Sequence, residues 1–394
     1  MAKVSTKQPT VVTEIDVIDG HALKIPMFQL LKADGTPHKG AKLPDVDKKL
    51  ALKMFETMQF IRVLDERMFA AQRQGRISFY LSSLGEEATS IGSAAALEFE
   101  DMIMGQYREQ GALAYRGFTV EQFMNQLFSN AKDLGKGRQM PVHYGSAELN
   151  FMTISSPLGT QIPQAAGYAY GQKQEKSKTC TICYFGEGAA SEGDFHAGMN
   201  MAAVLKVPAI FFCRNNGYAI STPIDEQLAG DGIAPRGVGY GMKTIRVDGN
   251  DMLAVYAATK EARRLAVEEN EPVLIEAMSY RMAGHSTSDD PTGYRTREEE
   301  QAWRDKCPLV RMRNWLLNKG WITEEEADAQ QKRHKDAVLA ELKTSEKIPV
   351  PHIDEIINDV YDTPTQQLKE QLDDLKAHIR KYPDAYPKTS EGVK

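Results

Sequence analysis

The chain has 394 residues, 42% of them hydrophobic and 26% charged, enough for one large α/β domain with attachments or for two or three smaller domains. Its 48 basic and 54 acidic residues leave a net charge of −6, which argues against a nucleic-acid partner. No apolar run approaches the roughly 20 residues that would cross a bilayer as a helix, so no membrane role is expected.

The first 45 residues read as an extended arm with scattered Pro, Gly and Lys. MAKVSTKQPTVVTEIDVIDG has no apolar centre like that of a signal peptide, and it carries Glu14 and Asp16 with no arginine before Arg62. That favours a bacterial cytoplasmic chain; a processed form in the mitochondrial matrix is the other reading. From about Asp45 to Gln74, Met54, Met58, Ile61 and Met68 recur at helical spacing. QGRISFYLSSLGEEATSIGSAAAL follows, a Gly- and Ser-punctuated stretch leading into a helix of small residues.

Residues 46–300 then read as an α/β domain. TCTICYF (179–185), PAIFFCRN (208–215) and PVLIEAMSY (272–280) are short β-rich apolar runs. Helical patterns separate them: Phe195, Met199, Ala202 and Ala203 share one side of the first, and DMLAVYAATKEARRLAVEEN forms another. Such alternation means βαβ units in a mostly parallel, doubly wound sheet. Cys180 and Cys183 form a CxxC, but residues three apart on a strand point to opposite faces. With no second ligand pair, buried reduced thiols are expected rather than zinc. Residues 301–394 read as a polar helical region. There Thr363-Pro364 looks like an N-cap with proline at the first helical position. Leu368, Leu372, Leu375 and Ile379 form a stripe that packs on its own domain or on a partner.

GEGAASEGDFHAGMN, beginning at Gly186, poses the central question, because Glu187 puts a charge directly after a strand. In open parallel sheets, ligands bind outside the carboxyl ends of the strands. Asn216 ends another strand run 30 residues after Gly186, an interval that suits one βαβ crossover. Neighbouring strands lie about 4.8 Å apart, so a carboxylate and a carboxamide would meet there. Hard oxygens in that position suit Mg2+ shared with a phosphate ligand, and the backbone carbonyl of Tyr218 offers a third. Gly186 and Gly188 admit a bulky anion close to the backbone, next to a helix N-terminus. The bland alternative is a helix cap at Glu187 and a simple turn at Asn216-Gly217.

GEG-x(3)-EG followed by NN resembles the thiamine diphosphate motif, with Glu187 where most of that superfamily has aspartate. QRQGRISFY, GQYREQG, GKGRQMPVHYG, TISSPLGTQIPQA, FFCRNNGYAISTP and GHSTSDD narrow the match. Together, over roughly Ile25 to Tyr386, the chain resembles the α subunits of branched-chain 2-oxo acid dehydrogenase decarboxylase components.

The resemblance implies that Glu187, Asn216 and Tyr218 hold Mg2+ and that Tyr107, Arg108 and Arg214 bind the diphosphate. Gln106, Gly186, Gly188, Ala189 and Ile220 are implied in the cofactor site. Ser156 and Leu158 would meet the aminopyrimidine through backbone groups. Ser155, Pro157, Thr160 and Gln161 would bind K+. His285 is implied as catalytic, an imidazole that titrates near neutrality and moves a proton in acyl transfer; His143 looks structural. Phe79 and Gln106 would line the substrate end, and Ser286 matches a phosphorylated position, with Thr296 at the second. Ylid formation needs an acid against the aminopyrimidine that is not found here. A separate β chain in an α2β2 heterotetramer is therefore implied, with a lipoyl transacylase core as acyl acceptor. A pyruvate dehydrogenase α subunit and a non-catalytic phosphate-binding scaffold are the rival readings.

Overall fold

The computed structural model describes residues 10–386. Nine strands are present among them: β1 (Met27–Phe28), β2 (Met102–Met104), β3 (Phe151–Met152), β4 (Thr181–Gly186), β5 (Ala209–Asn215), β6 (Tyr218–Ala219), β7 (Thr222–Pro223), β8 (Lys243–Asp248) and β9 (Val273–Met278). Seven build one sheet in the order β1-β8-β9-β5-β4-β2-β3, and every neighbouring pair in it is parallel. β6 and β7 form a small antiparallel hairpin.

The alternation of side chains fixes the layers. Ile182 and Tyr184 of β4, Ile210 and Phe212 of β5, and Ile275 of β9 face one core. Cys183 and Phe185, Phe211 and Cys213, and Leu274 face the other. Both faces of the sheet are therefore buried, as parallel sheets require. Cys180 falls in the first core and Cys183 in the second, so the CxxC straddles the sheet; Cys180, Cys183, Cys213 and Cys307 are all free thiols.

The first core receives the helix Lys48–Arg73 through Met54, Met58, Ile61 and Met68, after an N-cap in which Asp47 accepts from the Leu50 amide at 2.7 Å. The helices Glu87–Ala95 and Met252–Glu269 pack on the same side. The helices Gln161–Gln174 and Gly193–Leu205 cover the opposite face with Ile162, Ala165, Phe195, Met199 and Ala202. Helices lie on both faces, so the fold is a doubly wound α/β sheet. No helix among the described residues is long and apolar enough to cross a membrane.

Several elements differ from the sequence expectation. Residues 1–9 of the expected arm lie outside the described residues; residues 10–23 are exposed and include a 3-10 turn at Gly20–Ala22, but Met27–Phe28 joins the sheet edge beside β8, and Leu30 and Leu31 are buried. β8 itself, KTIRVD, has too mixed a composition to read as a strand run. The C-terminal helix is Gln366–Lys381 with Thr365 as its N-cap, two residues beyond Thr363. Residues 301–386 of the C-terminal region divide by packing: Met312, Trp315, Leu316, Val338 and Leu342 join the first core. Ile353, Ile357, Leu372 and Ile379 make a separate small cluster, so the stripe packs within its own chain.

Candidate active site

β4 and β5 lie side by side in the middle of the sheet, with Gly186 opposite Arg214. Glu187 and Asn216 are the first residues past their carboxyl ends, and the Asn216 backbone N–H donates to the Glu187 carboxylate at 3.2 Å. The Glu187 carboxylate therefore meets the Asn216 backbone, while the Asn216 side chain bonds to Glu86 and to the Tyr218 N–H. Glu187 and Asn216 both line a cavity of about 400 Å³. Its wall also takes in Phe79, Gln106, Tyr107, Ser156, Leu158, Gly186, Gly188, Ala189, Arg214, Tyr218, Ile220 and His285. Stretches far apart in the chain converge here, among them the ends of β4 and β5 and the loops that follow β2, β3 and β9.

Gly188 allows a close approach: a Cβ there would lie 2.7 Å from the Ala219 Cβ, so the β4 loop and the β6–β7 hairpin pack backbone to backbone. Gln106 ties the edges together, its side-chain oxygen accepting from the Gly186 N–H at 2.8 Å. A short 3-10 turn, Ala189–Ser191, separates Glu187 from the helix Gly193–Leu205, which begins at the last glycine of GEGAASEG.

Burial pushes the Glu187 carboxyl up to about 7, reinforced by the nearby Glu86 charge and opposed by the backbone N–H of Asn216 and by Arg214. A cation would neutralise it and remove most of that cost. Among the described residues no three His, Cys, Asp or Glu side chains come together as a metal cluster. A cation here would lean on one carboxylate, amide and backbone oxygens, and the ligand's own phosphates, which is the pattern Mg2+ favours. The Tyr218 carbonyl, an expected metal ligand, accepts instead from Arg281 Nη1 at 3.2 Å. One of its lone pairs is thereby occupied.

Arg214 is completely buried. Its Nε donates to Glu109 at 2.5 Å and its Nη1 to Glu86 at 2.6 Å, while Nη2 has no partner. An unsatisfied guanidinium nitrogen on the side chain that walls the cavity suits a phosphate oxygen. Tyr107 stands beside it, with the Arg214 and Arg108 guanidinium carbons 6.0 and 5.2 Å from its ring centre.

Arg108 departs from the expectation of a diphosphate contact. Its nitrogens donate to the Ser82 carbonyl and the His285 carbonyl, each at 2.5 Å, and it is absent from the cavity wall. Burial drives it inward, where backbone oxygens satisfy its donors. It also donates to His285 Nδ1 at 3.3 Å. Burial and the charges of Arg108 and Arg281 push the His285 imidazole down to about 4. The expected titration near neutrality is thus corrected: without an anion in the cavity, His285 is neutral, with Nδ1 accepting and Nε2 carrying the proton.

The loop carrying Ser155 to Thr160 is mostly exposed. Thr160 Oγ1 donates to the Pro157 carbonyl at 3.2 Å, whereas the Gln161 amide turns into the core to donate to the Tyr184 carbonyl at 3.0 Å. Ser156 shares a hydrogen bond of 2.8 Å with His143 Nε2, and His143 Nδ1 lies 3.1 Å from the Pro141 carbonyl. His143 therefore faces the cavity wall. Ser286 is half-buried and accepts from the Ser288 N–H at 3.2 Å, while Thr296 caps the helix Arg297–Arg304.

Sequence reasoning did not single out Glu86, Glu109 and Arg281. Glu86 is fully buried and its carboxyl is held below its ordinary value: burial alone would raise it, and Arg214 and Arg108 more than offset that. Arg281 clamps the Tyr218 and Ile220 carbonyls of the hairpin. The available signal was the doubled acid of LGEE at the start of an otherwise small-residue helix, where a lone charge needs a partner.

Comparison with known proteins agrees with this geometry. The Dehydrogenase E1 component family matches residues 55–354. The chain is 53% identical over 365 residues to the mitochondrial 2-oxoisovalerate dehydrogenase subunit alpha of Caenorhabditis elegans, covering 92% of this chain and 84% of that one. It is 55% identical to the same-named protein of Dictyostelium discoideum over 369 residues, with 92% and 83% covered. The human protein of that name is 51% identical over 364 residues, with 92% and 82% covered. With its family match spanning both strands of the cavity floor and its relatives aligned over nine-tenths of its length, the chain belongs to the dehydrogenase E1 component family.

Proposed function

We propose that this chain is the α subunit of a thiamine diphosphate-dependent dehydrogenase acting on branched-chain 2-oxo acids, with Mg2+ joining the diphosphate to Glu187, Asn216 and Tyr218. The single observation that carries this reading is the Glu187 carboxylate meeting the Asn216 backbone N–H at adjacent strand ends, two residues from Arg214, whose Nη2 has no partner. The names of the relatives support 2-oxoisovalerate over pyruvate as substrate. The retained Arg214, Glu187 and His285 weigh against a non-catalytic scaffold.

Bound there, thiamine diphosphate supplies the electron sink that lets CO2 leave a 2-oxo acid. The chain's own residues hold and orient. Arg214 and Tyr107 would hold the phosphate end, and Gln106 ties the loop after β2 to the end of β4. Phe79 with Gln106 lines the substrate end. Neutral His285 would present its Nε2–H as a hydrogen-bond donor to the group that changes protonation as the acyl group passes to a lipoyl group of the transacylase core. Ser155, Pro157, Thr160 and Gln161 are proposed to take K+ and stiffen the loop that bears Ser156 and Leu158.

Leu158, Ile220 and Met140 border the same cavity and are 42%, 55% and 50% exposed, an apolar rim that suits closure by a second chain. That chain is proposed to be a β subunit, in an α2β2 assembly, supplying the missing acid. The compartment is proposed to be the mitochondrial matrix for a processed eukaryotic form, as in the relatives' names, and the cytoplasm for a bacterial one. Reconstitution tests the reading: with its β partner, thiamine diphosphate and Mg2+, the chain should decarboxylate 2-oxoisovalerate faster than pyruvate, and the Glu187→Ala form should not. Equal turnover by Glu187→Ala, or full turnover by the α chain alone, would sink it.

A further inference from the structure

Glu86 stands at the start of the helix Glu87–Ala95, and none of its carboxylate surface reaches the cavity wall. Both of its oxygens are nonetheless committed to groups that do. Oε1 accepts from Asn216 Nδ2 at 3.1 Å, and Oε2 accepts from Arg214 Nη1 at 2.6 Å. Arg108 Nε lies 3.8 Å from Oε1, within ion-pair range. One buried side chain thus meets groups from two other parts of the site, the loop after β2 and the end of β5.

The amide makes the consequence directional. Asn216 has one oxygen and one NH2, and a carboxylate is acceptor-only. By taking the NH2, Glu86 leaves Oδ1 for the Tyr218 N–H, at 3.3 Å, and for a further partner on its other lone pair. By taking Arg214 Nη1 while Glu109 takes Nε, it leaves Nη2 as the free donor. We propose that Glu86 is a positioning residue that turns the Asn216 oxygen toward a divalent cation and the free Arg214 nitrogen toward a phosphate, an inference that rests on the cofactor reading above.

Glutamine in its place keeps the shape but has only one oxygen. Either Asn216 or Arg214 must then face an NH2 group, so one of the two loses its setting. Outer-shell partners of this kind are worth about 10- to 100-fold in metal affinity. A role confined to holding the fold predicts something else, a lower melting temperature with cation affinity unchanged.

The experiment uses the α chain assembled with its β partner and Mn2+ as a paramagnetic substitute for Mg2+. Bound Mn2+ is titrated by electron paramagnetic resonance in the presence of thiamine diphosphate, for wild type, Glu86→Gln and Glu86→Asp. Glu86→Gln should bind Mn2+ at least about tenfold more weakly than wild type. Glu86→Asp keeps both oxygens with shorter reach; its loss of Mn2+ affinity should exceed twofold but be smaller than that of Glu86→Gln, and it should melt close to wild type. Cation affinity within twofold of wild type in either folded variant would overturn the positioning role while leaving the cofactor reading intact. Absence of thiamine-dependent Mn2+ binding in the wild type would overturn both.

Discussion

His285 shows how a single side chain's chemistry is set by its surroundings. An isolated imidazole is half-protonated near pH 6.5, but burial beside Arg108 and Arg281 lowers this one to about 4. The unfolded chain therefore takes up a proton first as pH falls. Stability from the neutral ring is fully present above about 6.5 and is lost on acidification toward 4. Between pH 7 and 4, the wild type should lose on the order of 1–3 kcal/mol more unfolding free energy than His285→Gln, after discounting for the part of the ring that solvent reaches. Parallel acid-unfolding curves for the two would show that the ring is not desolvated as described. At the next residue, a phosphate on Ser286 would add roughly −1.5 to −2 charges beside this ring. Ser286→Glu should accordingly cut turnover more than tenfold in the reconstituted enzyme, and undiminished turnover would remove the case for control at this position. The place of His285 at the cavity was legible from its motif and its position after a strand. Its protonation state was not, because Arg108 lies 177 residues away in the chain.

Among the elements, the turn leaving β4 and the β6–β7 hairpin act as a matched pair. Gly188 lets the hairpin sit against the cavity floor, and the Arg281 clamp on Tyr218 and Ile220 holds it there. Gly188→Ala would drive a methyl into the Ala219 Cβ at 2.7 Å, pushing the hairpin outward. The sheet beneath does not depend on that contact. The expected result is thiamine diphosphate binding weakened at least about tenfold, the scale of a 1.4 kcal/mol loss, with unfolding temperature little changed. Calorimetry of cofactor binding would check it; wild-type affinity would mean the hairpin is not part of the site. The longer apolar runs at β4, β5 and β9 were legible as strands because they are buried on both faces. β1, β2 and β3 are two or three residues long, too short for any periodicity to register.

At the scale of the whole molecule, one sheet carries two unequal coats. The first core is sealed by helices from both ends of the chain, including Pro308–Asn318 and Glu324–Ser345. The opposite coat leaves Tyr168, Tyr170, Met201 and Val204 exposed, and the cavity rim adds Leu158, Ile220 and Met140. Of these, Leu158, Ile220 and Met140 stand at the cavity mouth, an apolar rim of the kind that partner surfaces cover. Leu158→Asp should leave the chain folded, as judged by circular dichroism, yet reduce the fraction that assembles with the proposed β partner in gel filtration. Normal assembly would place the partner elsewhere.

What the sequence by itself determined is the parallel α/β sheet, the meeting of Glu187 with Asn216, and the inert placement of Cys180 and Cys183 on opposite faces. Each follows from local periodicity plus one short crossover, which ties neighbouring strands within 30 residues. Only the tertiary structure decided that Glu86 commands both Asn216 and Arg214, that Arg108 turns from the cavity toward His285, and that the imidazole is neutral. Those outcomes depend on burial and on charge pairs such as Glu86–Arg214, 128 residues apart. Such pairs leave no periodic mark on either segment; they exist only once folding has removed water from between them.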